Sequence, residues 1–160
     1  MAIKVGDRVP NGTFMVMSAD GPKPKTSDEL FKGKKVVLFA VPGAFTPTCH
    51  KNHLPGFVKN AAAIKSKGVD TIAVTGVNDV FVMDAWKKAS GGENIEFLAD
   101  GSANWAKAMG LTADLTERGL GVRSQRYAMV VDDGVVKTLN VEEAPGKADV
   151  SGAENLMKSL

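Results

Sequence analysis

The sequence predicts an α/β fold with a mixed central β-sheet flanked by helices. The continuous apolar run 36–41 is typical of a strand that is buried on both faces, and the segment 71–77 (Thr-Ile-Ala-Val-Thr-Gly-Val) is interpreted as a second buried strand. A helical segment separates them, so the two strands should be parallel and joined by a right-handed crossover. Farther along, the tripeptide 132–134 (Asp-Asp-Gly) separates two β-rich runs, 126–131 and 135–141, as in an antiparallel hairpin. The sheet should therefore combine parallel and antiparallel neighbours.

Length and composition favour an ordinary globular protein. The 160 residues suit one domain spanning 1–160, and 44% of them are hydrophobic. The formal net charge of +2 is too small to indicate binding to nucleic acid or to a membrane surface. The N-terminal residues lack the apolar core of a signal peptide, and no stretch approaches the ~20 apolar residues of a membrane helix. We therefore expect a cytoplasmic protein, in which thiols stay reduced.

The segment after the first buried strand has the signals of a helix. Thr46 is suited to the N-cap and Pro47 to the first helical position. Pro55 removes a backbone donor, so we expect a kink near Lys51. Gly68 is placed to end the helix.

The remaining elements follow from periodicity and turn residues. A C-terminal helix should begin with a capping box formed by Ser151 and Glu154. The other expected elements are a surface loop at 20–26, helices at 80–90 and 104–109, and a short strand at 97–98. Strand–helix alternation followed by a hairpin and a last helix is the architecture of thioredoxin-like folds.

The only cysteine, Cys49, lies at the junction between the first buried strand and its helix. In a first helical turn, unpaired backbone N–H groups and the helix dipole favour the thiolate. Thr46, three residues earlier, is placed to direct its hydroxyl at the sulfur or at a substrate oxygen. The residues alone leave open a second interpretation, in which Cys49 is a small buried hydrophobe without chemistry.

The stretch 42–49 (Pro-Gly-Ala-Phe-Thr-Pro-Thr-Cys) resembles the P-x-x-x-T-x-x-C active site of peroxiredoxins. Together with His-Leu-Pro-Gly-Phe at 53–57 and Arg-Tyr-Ala-Met-Val-Val at 126–131, it is similar to the peroxiredoxin-five branch, which includes the type II enzymes of plants and bacterial relatives. The resemblance covers essentially the whole chain, and it implies the same thioredoxin-like fold.

The resemblance also implies a role for individual residues. Cys49 would attack the peroxide, Thr46 would hydrogen-bond it, and Pro42 would shield the site from water. Arg126 would stabilise the thiolate and orient the peroxide, whereas Arg123 is interpreted as a solvated surface group. The residues expected around the substrate pocket are Gly43, Phe45 and His53.

Cofactor sites are not indicated. His50 and His53 lie near Cys49, but no further ligand cluster accompanies them, so we expect no metal. The glycines at 91–92 and 119–121 lack the other residues of a dinucleotide or phosphate loop and are interpreted as turns. No cofactor is expected beyond an external reductant.

The sequence thus predicts a thiol peroxidase that reduces hydrogen peroxide and organic hydroperoxides through a sulfenic acid on Cys49. In the family, resolving cysteines align near Val74 and Val150, and both positions are valine here. An external thiol should therefore resolve the intermediate, with glutathione and glutaredoxin ranked before thioredoxin. The resemblance also implies a homodimer, with Phe45 near the contact.

Two alternatives are weighed against the peroxidase. A general thiol–disulfide oxidoreductase on the same fold is disfavoured because the chain has no C-x-x-C motif. A non-catalytic redox sensor or holdase, switched by oxidation of Cys49, belongs to a different functional class and stays open at this point.

Overall fold

The computed structural model describes residues 2–144 and 146–160. The strands are β1 (Thr13–Ser18), β2 (Gly21–Thr26), β3 (Lys35–Val41), β4 (Thr71–Gly76), β5 (Glu96–Ala99), β6 (Thr112–Leu115), β7 (Gly121–Ser124), β8 (Tyr127–Asp132) and β9 (Val135–Val141). The helices are α1 (Ser27–Phe31), α2 (Leu54–Ser66), α3 (Val80–Ser90), α4 (Asn104–Met109) and α5 (Ala153–Met157), with a π-helical turn (Cys49–His53) before α2 and a 3₁₀ turn (Thr116–Arg118) after β6.

Seven strands form one sheet in the order β2-β1-β5-β4-β3-β8-β9. The neighbours β3, β4 and β5 are parallel, whereas β8 is antiparallel to β3 and β9 is antiparallel to β8. β1 pairs antiparallel with both β2 and β5, and β6 and β7 form a separate two-stranded sheet. This mixed central sheet flanked by helices confirms the predicted thioredoxin-like fold.

The central strand β3 divides the core into two layers. Alternate residues of a strand point to opposite faces, so Val37, Phe39 and Val41 enter one cluster and Val36 and Leu38 the other. The first cluster is covered by α2, α3 and α5, and the second by α1 and α4. Burial on both faces explains the unbroken apolar run that predicted this strand.

The backbone around Pro55 is distorted where the sequence predicted a kink. The turn Cys49–His53 is π-helical, and the Leu54 N–H bonds to the Cys49 carbonyl, five residues back. Because Pro55 has no N–H, the helical ladder loses a bond here, and the wider turn accommodates the loss. α2 then ends at Ser66, shortly before Gly68 with its φ of 94°.

The prediction of a surface loop at 20–26 is wrong. Most of this segment forms β2, whose residues Pro22 and Pro24 pair with Met17 and Met15 of β1. β2 is an edge strand, and an edge tolerates proline because one side of the strand has no neighbour that needs its N–H groups. The proline content was therefore misleading at this position.

The prediction of a capping box at Ser151 and Glu154 is also wrong. α5 begins at Ala153, one residue later than the box requires. The Ser151 hydroxyl instead donates to the Glu142 carboxylate at 2.6 Å, since an ionised acceptor makes the stronger bond. A capping box does begin α1, where Thr26 and Glu29 bond reciprocally; the sequence predicted a loop up to Thr26 and no helix after it.

No helix among the described residues is long and apolar enough to cross a membrane.

Candidate active site

The site is built where β3 ends and the next helix begins. The helical segment starts at Pro47, and its first bond runs from the His50 N–H to the Thr46 carbonyl, at 2.8 Å. Thr46 is therefore the N-cap by position, as predicted. Cys49 follows in the first turn of this segment, where backbone N–H groups favour an anion.

The loop between β3 and the helix is held by hydrogen bonds of its own. The Thr46 hydroxyl donates to the Gly43 carbonyl at 2.6 Å, and the Ala44 N–H donates to Asn78 Oδ1 at 2.9 Å. Because the Thr46 proton is engaged, its oxygen is left to accept a hydrogen bond from a ligand. Thr46 thus offers its side-chain oxygen as a hydrogen-bond acceptor. Its hydroxyl proton is directed back to the loop rather than towards the helix.

Arg123 is not the solvated surface group that the sequence predicted. It is half-buried, and its Nη1 donates to the carbonyls of Pro42 (3.4 Å) and Val77 (3.3 Å), while Nε donates to Leu120 at 2.8 Å. The carbonyls of Pro42 and Val77 lie directly after β3 and β4, and buried carbonyls need donors. Arg123 therefore stabilises the loop after β3 through these hydrogen bonds. The local sequence gave no indication of this role.

Arg126 lies directly beside Cys49. Ala40 of β3 pairs with Tyr127 of β8, so Arg126 stands next to the point where β3 leaves the sheet. Arg126 Nη2 donates to Cys49 Sγ at 2.9 Å, and the two residues are 2% and 0% exposed. A guanidinium in this position stabilises a thiolate through a charge-assisted hydrogen bond.

His53 is buried behind Arg126, packed against the rings of Phe39 and Phe57. Its Nδ1 lies 2.9 Å from Arg126 Nη1, and its Nε2 lies 2.9 Å from the Ser151 carbonyl oxygen. A guanidinium only donates and a carbonyl only accepts, so the ring is neutral with its proton on Nε2. Burial, followed by the charge of Arg126, lowers the pKa of His53 to about 3.

A cavity of about 280 Å³ opens beside Arg126. Its wall includes Pro42, Thr46, Pro47, Leu115, Leu120 and Arg126. Leu115 ends β6 and Leu120 directly precedes β7. Neither leucine was predicted, because these short strands show little periodicity. The cavity is therefore bordered both by Thr46, whose oxygen can accept a hydrogen bond, and by Arg126, whose guanidinium can donate one.

The three residues that were expected around the substrate pocket lie outside the wall as described. Gly43 packs beneath Arg123, and His53 lies behind Arg126. Phe45 has a left-handed backbone (φ 63°) and a ring that is 46% exposed, 5.5 Å from the ring of His50. The loop thus directs Phe45 outward.

Within the described residues, no three His, Cys, Asp or Glu side chains are grouped as metal ligands. His50 has another partner, because its Nδ1 accepts from Trp86 Nε1 at 3.1 Å.

Comparisons with known proteins agree with one another. The Redoxin family model matches residues 4–157. The chain is 50% identical over 164 residues to peroxiredoxin-2E-2, chloroplastic, of Oryza sativa subsp. japonica (99% of this chain, 72% of that protein) and 47% identical over 160 residues to peroxiredoxin-2B of Arabidopsis thaliana (99% and 98%). It also resembles the crystal structure of reduced Prx3 in complex with H₂O₂ from Vibrio vulnificus, with a TM-score of 0.93, 52% identity and 99% of both chains covered.

Proposed function

Since this chain belongs to the Redoxin family and is a thiol-dependent peroxidase of the peroxiredoxin kind, we propose that Cys49 is its peroxide-attacking nucleophile. The observation that carries the proposal is the 2.9 Å contact between Arg126 Nη2 and Cys49 Sγ, made where both side chains are buried. Donation to sulfur favours the thiolate, and the thiolate is the nucleophilic form of cysteine.

In the proposed step, the Cys49 thiolate attacks the terminal oxygen of hydrogen peroxide or of an organic hydroperoxide. The S–O bond forms as the O–O bond breaks, and the electron pair of that bond leaves with the second oxygen, which carries the hydrogen or the organic group. The leaving oxygen takes up a proton and departs as water or alcohol. Sulfur is oxidised to sulfenic acid while the peroxide is reduced.

Thr46, Arg126 and Pro42 are proposed to serve this displacement. The Thr46 oxygen accepts the peroxide O–H, because its own proton is held by the Gly43 carbonyl. Arg126 donates to the leaving oxygen, where negative charge develops. Pro42 lies on the cavity wall and limits the entry of water. Alignment of the peroxide by two fixed groups favours in-line attack.

Peroxide consumption over many turnovers tests this assignment. With a thiol reductant, we expect the wild-type protein to consume many equivalents and Cys49→Ser to consume none. The alternative of a non-catalytic redox sensor or holdase predicts that consumption stops after one equivalent. Sustained turnover by Cys49→Ser would overturn the assignment of the nucleophile.

For the reductant, we propose glutathione with glutaredoxin, ahead of thioredoxin. The chain has one cysteine, so its sulfenic acid has no internal thiol to attack it. Valine stands at both positions where relatives place a resolving cysteine, with Val74 buried in β4 and Val150 exposed. Turnover rates with each reducing system, at matched concentrations of the reducing thiol, would rank the two donors.

We further propose a homodimer and a cytoplasmic location. The exposed Phe45 ring, held on a left-handed backbone, supports a contact near the active-site loop. Dependence on an external thiol supports a reducing compartment. Sedimentation of the wild-type protein and of Phe45→Ser tests the dimer, with a shift of the variant towards monomer expected.

A further inference from the structure

We propose that Glu142 is a positioning residue for Arg126, acting through Ser151 and His53. This inference rests on the proposed roles of Arg126 and Cys49. Glu142 follows β9 directly and is 8% exposed, and its carboxylate bonds to Asp149 and Ser151 rather than to Arg126 or Cys49. Any effect of this carboxylate on the reaction must therefore pass through other side chains.

One oxygen of the Glu142 carboxylate accepts three hydrogen bonds. Oε2 accepts from the Asp149 N–H (2.6 Å), the Ser151 N–H (2.8 Å) and the Ser151 hydroxyl (2.6 Å). The backbone N–H of Glu142 also donates to the Arg126 carbonyl at 2.9 Å. Glu142 thus joins Arg126, which directly precedes β8, to the segment that precedes α5.

Ser151 passes this constraint to His53. Ser151 is fully buried, and its N–H and hydroxyl are both fixed on the Glu142 carboxylate. These two bonds hold Ser151 in place, and its carbonyl accepts the Nε2–H of His53 at 2.9 Å. Because that bond fixes the tautomer, the lone pair of Nδ1 faces Arg126.

His53 then sets the orientation of the guanidinium. Nη1 of Arg126 is bound to His53 Nδ1 and Nη2 to Cys49 Sγ, both at 2.9 Å. A planar guanidinium has a rigid fork, so the direction of one N–H group constrains the other. Four consecutive hydrogen bonds therefore lead from the Glu142 carboxylate to the sulfur.

The negative charge of the Glu142 carboxylate matters at the start of this series of hydrogen bonds. The three short bonds to Glu142 are charge-assisted, and the neutral amide of Glu142→Gln accepts them more weakly. We expect the second-order rate constant with hydrogen peroxide to fall by roughly tenfold, a loss typical for residues that orient the groups of a site without touching the reacting atoms. The pH midpoint of Cys49 alkylation should rise at the same time.

The matched control is Glu143→Gln, which makes the same change at an exposed neighbour. It should keep the wild-type rate constant and alkylation midpoint. A purely structural role for Glu142 would lower the melting temperature of Glu142→Gln without moving either quantity at a temperature where the variant is folded. That result would overturn the inference.

Two further variants keep the test decisive. If Glu142→Gln does not fold, Ser151→Ala removes the hydroxyl bond alone and should shift the alkylation midpoint in the same direction. An unchanged midpoint would refute the proposed series of hydrogen bonds from Glu142 to Cys49. Arg126→Ala, measured in parallel, separates the two proposals. A wild-type rate for Arg126→Ala refutes the proposed function, whereas a slow Arg126→Ala with a fast Glu142→Gln refutes only the role of Glu142.

Discussion

Acidification should destabilise this protein through His53. In the folded state, burial and the charge of Arg126 lower the pKa of His53 from 6.5 to about 3. The unfolded state therefore binds a proton below pH 6.5 that the folded state does not bind until about pH 3. Stability is fully present above pH 6.5 and is lost as the pH falls, by ~1.4 kcal/mol for each unit.

The size of the effect follows from that interval. At pH 5 the loss is ~2 kcal/mol, because the pH lies about one and a half units below the unfolded-state value. The free energy of unfolding should be measured by urea titration at pH 7.5 and pH 5 for the wild-type protein and for His53→Gln. Glutamine cannot titrate, so the pH-dependent loss should be ~2 kcal/mol smaller in the variant.

The difference between the two proteins removes the contributions of the other titrating groups, which both proteins share. His53→Gln also loses the ring contacts with Phe39 and Phe57, which lowers stability equally at both pH values. An equal pH-dependent loss in the two proteins would refute the neutral, buried state of His53.

Two substitutions test the loop that precedes Cys49. Thr46→Val keeps the volume but removes the acceptor oxygen, so the rate constant with peroxide should fall by ~10²-fold, whereas Thr46→Ser should retain much of the activity; similar rates for the two variants in stopped-flow assays would limit Thr46 to its place at the helix start. Gly43→Ala places a Cβ 3.0 Å from Arg123 Nη1 and 3.1 Å from Thr46 Cγ2, so displacement of Thr46 should slow the same reaction several-fold. Gly56→Ala, whose Cβ would meet Ala153 at an ordinary 3.9 Å, is the matched control and should leave the rate unchanged; an equal rate for Gly43→Ala would show that the loop yields without cost.

The sequence was most informative where one physical requirement dominated. Burial on both faces produced the apolar run of β3. The helix start at Pro47 followed from Thr46 and a proline that suits the first turn. The position of Arg126 beside Cys49 was implied by the family resemblance, and the antiparallel register of β3 and β8 explains it physically.

Long-range partners explain most of what the sequence could not predict. Ser151 followed the pattern of a capping box, but the carboxylate of Glu142, nine residues earlier, takes its hydroxyl. In the sequence, Arg123 is indistinguishable from a surface arginine. In the fold, the ends of β3 and β4 place the carbonyls of Pro42 and Val77 within reach of its guanidinium. Such contacts depend on tertiary structure, and local patterns do not record them.

The most direct measurement of the central claim is the intact mass of the protein after one equivalent of hydrogen peroxide. Without added thiol, we predict one added oxygen on Cys49, trappable by a sulfenic-acid reagent, because the chain holds no second cysteine. With glutathione, we predict its adduct on the same residue. Rapid formation of a Cys49–Cys49 bridge between two chains, required for turnover, would contradict a sulfenic acid that an external thiol resolves.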